Sequence, residues 1–215
     1  MKATFKKRYT RLVALLAVGI IPTIGAAQAS GSHNDNNRLA QMAELEQLHA
    51  TFHAAVSVHD PVNGDSSDVI TQRIRQALSI WTEDAELTTA GGNYVGKGDP
   101  DNPVTCPEPS GDTSGTQGTL CTFFKYVAGG LQQTNKWVSL SPAYKTTFVP
   151  VNDDGRWKSS VYFECHYFDV SLDSATGQPF WTAVSHVGLT GEAKKVNGRW
   201  LLTYASASTV GVPVP

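Results

Sequence analysis

The chain has 215 residues, a formal net charge of −2, and five tryptophans, seven tyrosines and eight phenylalanines. That aromatic content argues for a packed globular body rather than disorder. Three cysteines and the pattern at the N-terminus point away from a reducing compartment.

Lys2, Lys6, Lys7, Arg8 and Arg11 precede an apolar run, Leu12–Ile21, broken only by Gly19, and Ala27-Gln28-Ala29 follows in small-x-small form. These are the basic region, apolar region and cleavage site of a secretory signal peptide over 1–29, too short and wrongly flanked for a spanning helix. Its removal takes away five basic residues and no acidic ones, so the formal charge goes from −2 to −7 and about 186 residues remain. That length suffices for one well-cored domain. No later stretch is apolar enough to span a bilayer, so no membrane span is expected after processing. An acidic chain with no basic patch argues against nucleic acid as a partner. The expected location is secreted or periplasmic.

Residues 30–38, "SGSHNDNNR", read as a polar tether. From Leu39 the apolar positions Leu39, Met42, Leu45, Leu48, Phe52, Ala55 and Val56 fall in steps of three and four, which predicts an amphipathic helix ending near His59-Asp60-Pro61. After a loop, Ser67 or Asp68 can cap a second helix carrying Val69, Ile70, Ile74, Ala77, Leu78 and Trp81. "AELTTA" (85–90) reads as a short strand closed by Gly91-Gly92. Cys106 and Cys121 then bracket a loop of Pro, Gly, Ser and Thr with little capacity to order itself. A disulfide there would stabilise the fold by about 3 kcal/mol through lost unfolded-state entropy. A metal reading of the pair lacks a nearby His or second Cys pair at ligand spacing. Cys165 is left over and reads as a small buried hydrophobe rather than a nucleophile.

A third, short helix is predicted over 122–133, interrupted by Gly129-Gly130. The periodicity then changes to two: 137–151, 156–172, 179–196 and 199–208 read as long strands joined by tight turns at "NDDG", "DSATGQ" and Asn197-Gly198. Helices first and a bent antiparallel meander afterwards give an α+β fold with the helices segregated on one face.

The order of parts, with Trp81-Thr82-Glu83-Asp84-Ala85, Gly96-Lys97-Gly98, Phe123-Phe124 and Gly198-Arg199-Trp200, resembles the SnoaL-like branch of the nuclear-transport-factor-2-like superfamily over roughly Leu39 to Ser208. The resemblance implies a cone-shaped, strongly curved antiparallel sheet with the N-terminal helices packed on its concave side, an α+β barrel spanning 39–215. The disulfide loop at 99–121 is an insertion relative to typical members. The family implies a small-molecule pocket at the open end of the cone but no single chemistry, since cyclases, dehydratases, isomerases, hydrolases and binders share the fold.

Carried over by position, the resemblance points to His59 and Asp60 at the end of the first helix, and to Glu164, His166 and His186 on the long strands, for acids and bases. Asp60 would need a raised pKa to act as a base, whereas His166 or His186 could move a proton near neutral pH. Within "YFECHYFDV" (162–170), His166 is the expected catalytic member, with Glu164 orienting it. Tyr94, Tyr162 and Tyr204 could donate to a developing oxyanion, and Trp81, Trp137 and Phe168 could wall a ligand site. The strand pattern also supports the opposite reading. Val161, Phe163, Cys165 and Tyr167 form the more apolar face, which would turn Glu164 and His166 outward; Ala183, Val187 and Leu189 likewise leave His186 outward. The outer face of such sheets often forms a dimer interface, which admits a homodimer there.

His49 and His53 lie one helical turn apart, but no third ligand is locatable, so a solvated helix face is expected and neither metal nor cofactor. No phosphate-binding glycine motif, serine nucleophile elbow or zinc helix signature is present. Two functions remain open. One is a cofactor-independent lyase, isomerase or cyclase acting on a hydrophobic cyclic molecule by proton transfer. The other is a non-catalytic ligand-binding or scaffold protein of the same fold.

Overall fold

The computed structural model describes residues 32–61, 63–109, 116–131, 137–140 and 147–210. The signal peptide read over 1–29 lies outside the described residues. Helix α1 (Ser32–Ala55) begins well before Leu39, so most of the stretch read as a tether is helical. Its opening turns are polar on every side, and hydrophobic periodicity cannot detect such a turn. Further along, α1 buries Gln41, Leu45, Leu48, His49, Phe52 and Ala55, and Val56 is buried just past its end, while Leu39 is exposed. Gln41 occupies an apolar position because its Oε1 accepts from Lys195 Nζ at 2.8 Å and from Trp200 Nε1 at 3.1 Å.

Helix α2 (Ser67–Leu78) is capped by Ser66, whose hydroxyl accepts from the Val69 N–H. It carries a buried Arg73 in its apolar stripe. Arg73 donates from Nη1 to Asp65 Oδ2 at 2.7 Å and from Nε to the Ala55 carbonyl at 3.1 Å. Asp65 Oδ1 accepts the backbone N–H groups of His59 and Asp60, each at 2.9 Å. One carboxylate thus closes the turn between the helices. Both side chains are at most 1% exposed, so removing either partner would strand a buried charge, at a cost of about 3–5 kcal/mol.

The strands are β1 (Trp81–Thr89), β2 (Gly92–Val95), β3 (Thr116–Gly118), β4 (Trp137–Leu140), β5 (Thr147–Asp153), β6 (Arg156–Leu172), β7 (Pro179–Val196) and β8 (Arg199–Val210). Between β3 and β4, α3 (Leu120–Phe124) runs into a π-helical segment, Lys125–Leu131. All eight strands form one sheet in the order β3-β2-β1-β8-β7-β6-β4, with β5 also paired to β6. Pairing is antiparallel except where β1 meets β8 and β2 meets β3, both parallel. The sheet is therefore mixed, and its path ends at β3 and β4 without joining, so it is an open curved sheet rather than a barrel. The stretch 137–151, read as a single strand, contains two, both on the same side of β6.

The hairpin turns behave as their sequences require. Asp154 and Asn197 sit at φ 48° and 51°, the left-handed region that two-residue hairpin turns demand. Cys106 and Cys121 are bridged, with Cα atoms 5.2 Å apart. Gly98 lies directly beneath this bridge: a Cβ there would come within 2.4 Å of the Thr105 carbonyl and 2.9 Å of Cys121 Cβ. The Gly96-Lys97-Gly98 segment is clamped on both sides. Gly96 and Lys97 donate to the Ala85 and Glu83 carbonyls, and accept from the Leu120 and Cys121 N–H groups. The core lies between the helices and the concave side of the sheet, where Leu48, Phe52 and Ile74 meet Phe163, Leu189 and Leu202.

Candidate functional site

Strand β6 determines what faces the core. Its alternate residues Val161, Phe163, Cys165 and Tyr167 are all buried on the concave side, within the core cluster. Tyr162, Glu164 and His166 point the other way. Two separate groupings follow from this alternation, one inside the cone and one on the outer face of the sheet.

Inside is a cavity of about 320 Å³. Cys165 and Tyr167 of β6 line it with Val187 and Leu189 of β7, Trp81 and Leu87 of β1, and Tyr94 of β2. Phe52 of α1 and Val56 just past it close one side, and Phe123, Phe124, Tyr126 and Val127 another. The π-helical segment contributes Tyr126 and Val127. Such segments are rare and recur at functional sites. Ala90 and Tyr126 are exposed and mark where the cavity reaches the surface. None of the described lining residues is a carboxylate, histidine, lysine or arginine. Polar capacity comes from Thr89, Tyr94, Tyr126, Tyr167, Cys165 and the Trp81 indole. Burial pushes the Tyr94 phenol upward, so it remains a hydrogen-bond donor. Trp81 Nε1 is buried and has no hydrogen-bond partner among the described residues.

Behind the Cys165 wall stands a histidine pair. His53 Nε2 is 2.7 Å from His49 Nε2 and 3.9 Å from Cys165 Sγ, and His53 Nδ1 is 2.9 Å from Ser139 Oγ. One imidazole must donate to the other, so at least the accepting ring is neutral at that contact. Desolvation lowers His49 to about 4; desolvation, then the nearby His49, lowers His53 to about 3. His49 packs on Phe163 with ring centroids 4.7 Å apart. The pair therefore belongs to the core side of α1 and not to a solvated face as its spacing suggested. Burial also pushes the Cys165 thiol up to about 12, which leaves it protonated and inert.

Outside, Glu164 gathers its neighbours. Tyr162 OH donates to Glu164 Oε1 at 2.5 Å, and His186 Nε2 lies 2.9 Å from Oε2. His166 Nε2 is 3.5 Å from the same oxygen. His166 and His186 are direct cross-strand partners, and their rings lie 4.5 Å apart. Glu164 pairs with Gly188, and the Tyr162 phenol lies over that glycine: a Cβ there would be 3.7 Å from the hydroxyl oxygen. Covered in this way, Glu164 is 4% exposed although it is on the outer face.

The sequence-predicted residues divide accordingly. Glu164, His166 and His186 do come together, but on the outer face and away from the cavity, because strand parity turns them outward. Asp60 does not join them. Its carboxylate accepts from the backbone and side-chain amides of Asn63, each at 2.9 Å, and so fastens the turn after α1. His59 is exposed beside the same turn. Among the expected wall residues, Trp81 and Tyr94 line the cavity, whereas Tyr162 is on the outer face, Tyr204 is 39% exposed, and Phe168 is not in the lining. The Trp137 side chain lies outside the described residues. Phe123, Phe124 and Tyr126, and Phe52 and Val56 at the end of α1, were not singled out as cavity residues; the Phe pair at 123–124 was the available signal.

Comparison with known proteins gives fold but no close relative. No family model and no curated protein matches the chain. Among solved structures, an NTF2-like protein with a cystatin-like fold from Novosphingobium aromaticivorans aligns with TM-score 0.53 at 9% identity, covering 86% of this chain and 92% of the other. The chain has the nuclear-transport-factor-2-like fold. This agrees with the resemblance read from the Trp81–Ala85 and Gly198–Trp200 segments. A protein of unknown function from Mycobacterium tuberculosis aligns at TM-score 0.50 and 12% identity, over 85% of this chain and 78% of its own. A hexachlorocyclohexane dehydrochlorinase from Novosphingobium barchaimii aligns at TM-score 0.45 and 14% identity, over 83% and 94%. At these identities the likeness is one of fold. The NTF2-like cone supplies the concave cavity, and the chemistry must be argued from the residues in it.

Proposed function

We propose that this NTF2-like chain binds a small, mainly apolar molecule inside its cone, and that it does so after export. The observation that carries the reading is the lining itself: a cavity of about 320 Å³ walled by aromatic and aliphatic side chains with no carboxylate, histidine, lysine or arginine among the described lining residues. Pockets of this size and composition hold ligands by apolar contact and a few oriented polar groups. The unpartnered Trp81 Nε1 and the protonated Tyr94 favour a ligand with one or two hydrogen-bond acceptors, such as a ketone, ester or lactone. Export rests on the signal-like segment 1–29, with which the Cys106–Cys121 bridge is compatible. No helix among the described residues is long and apolar enough to cross a membrane.

A proton-transfer lyase or isomerase is the second reading, favoured by one observation. The His49–His53 pair stands 3.9 Å behind Cys165, a cavity wall. Turnover would need His53 to reach a substrate, and a base held at about 3 is weak near neutral pH.

Titration of intrinsic tryptophan fluorescence with a panel of cyclic ketones and lactones tests both readings. Binding is expected, and Ala207→Phe, which would fill the cavity from its β8 wall, should weaken it more than tenfold while the fold is retained by circular dichroism. Binding indifferent to Ala207→Phe, or no response across the panel, would overturn the cavity reading. Conversion of a bound compound that stops in His53→Gln would replace binding by catalysis.

A further inference from the structure

We infer that Glu164, His166 and His186 form a binding site for a zinc-class divalent transition ion on the outer face of the sheet. Their ligating atoms all lie within 4.8 Å of one another. Two imidazoles and one carboxylate are a donor set suited to Zn²⁺ and its first-row neighbours. Such an ion holds each donor at about 2.0–2.2 Å, so donors on a common ion stand about 3.4 Å apart in a tetrahedron. The Glu164 Oε2 contacts, 2.9 Å to His186 Nε2 and 3.5 Å to His166 Nε2, bracket that spacing.

Three further observations separate this cluster from a chance grouping of polar residues. First, His166 Nε2 is buried without a hydrogen-bond partner among the described residues, although it is directed at the Glu164 carboxylate. Buried polar atoms are rarely left so, and an ion between the three donors would satisfy it. Second, Glu164 is 4% exposed on the outer face of a sheet, an environment that favours a carboxylate with a cationic partner. Third, Tyr162 donates to the other carboxylate oxygen at 2.5 Å, the kind of outer hydrogen bond that orients a metal-binding carboxylate.

The backbone builds the arrangement. Cross-strand pairing sets His166 opposite His186, and the Glu164–Gly188 pair leaves room for Tyr162 to fold over the carboxylate. The side chains of His166 and His186 are 31% and 29% exposed, so an ion held there would keep a coordination position open to solvent or to a second molecule.

Metal-stripped, untagged protein should be titrated with Zn²⁺ against a chromophoric chelator. One equivalent is expected to bind. His166→Ala and His186→Ala should each lower affinity at least tenfold, and Tyr162→Phe by about tenfold, the usual scale for an outer hydrogen bond. The His49→Gln/His53→Gln double variant should bind as the parent does. Should a variant misfold, the parent alone decides: Zn²⁺ must shift the imidazole resonances of His166 and His186 and leave those of His49 and His53 in place. The inference is overturned if no equivalent binds, if binding survives the double substitution His166→Ala/His186→Ala, or if the resonances of another histidine pair respond instead.

Discussion

A histidine pair stands at each face of β6, and the two faces use their pairs in opposite ways. On the concave face, His49 and His53 are pressed against Phe163 and Cys165 and are held neutral by loss of water. On the outer face, His166 and His186 stand around a carboxylate and remain partly open to solvent. The inner pair is a polar inclusion in a core, satisfied by its own hydrogen bonds. The outer pair is a set of donors converging on one point. Residue type therefore says little about a histidine's role here; the face it occupies and the charge of its neighbours say more.

Substitutions should separate the faces by size of effect. Phe163→Ala removes a fully buried ring that touches α1 and β5, and should cost about 3–5 kcal/mol in urea unfolding. A loss below about 1 kcal/mol would mean that the concave face is not the core.

Acid should act next, through the inner face. His49 and His53 each take up a proton near pH 6.5 when unfolded but only near pH 4 and 3 when folded. The folded pKa lies below the unfolded one for a base, so the unfolded chain binds more protons as pH falls. Stability from these groups is complete above about pH 6.5 and declines below it, by about 1.4 kcal/mol per histidine for each pH unit until the folded pKa is reached. Unfolding measured between pH 7 and 5 should show a shallower decline in His49→Gln/His53→Gln than in the parent. An unchanged slope would place the pair in water.

Tyr162→Phe removes one donor to a buried carboxylate and should cost about 1–2 kcal/mol. His166→Ala in metal-free protein should be the mildest of the four, within about 0.5 kcal/mol, because it truncates a partly exposed side chain. A cost for His166→Ala approaching that of Phe163→Ala would erase the distinction between the faces.

The alternation of β6 was legible in the sequence: period two places Phe163 and Cys165 opposite Glu164 and His166 whatever the partners are. The hairpin turns, the disulfide pairing and the fold class were legible for similar local reasons. The site was less so. The Glu164–His186 contact joins residues on two strands, and its register depends on a hairpin and on an irregularity between Tyr167 and Phe168. His49 and His53 were misread because their burial depends on Ser139 and Phe163, which approach from the sheet. Asp65 and Arg73 carried no signal of their own in the sequence, because only the folded turn between the helices buries them together. The opening turns of α1 and the split of 137–151 into two strands left no apolar periodicity to read.

The parallel pairing of β1 with β8 bears on how the chain reaches its native state. Trp81 is in register with Leu202, and the Leu202 N–H reaches back to the Ile80 carbonyl at 2.7 Å. Trp200 likewise reaches Gln41 on α1. The β1–β2 hairpin can therefore form local structure early but joins the rest of the sheet only through β8. Contacts so distant along the chain slow folding into the range of milliseconds to seconds. Synthesis at about 5–20 residues per second would leave the early segments waiting for several seconds. β8 is thus the clasp of the sheet, and shortening the chain within β8 should leave a collapsed species without fixed tertiary packing.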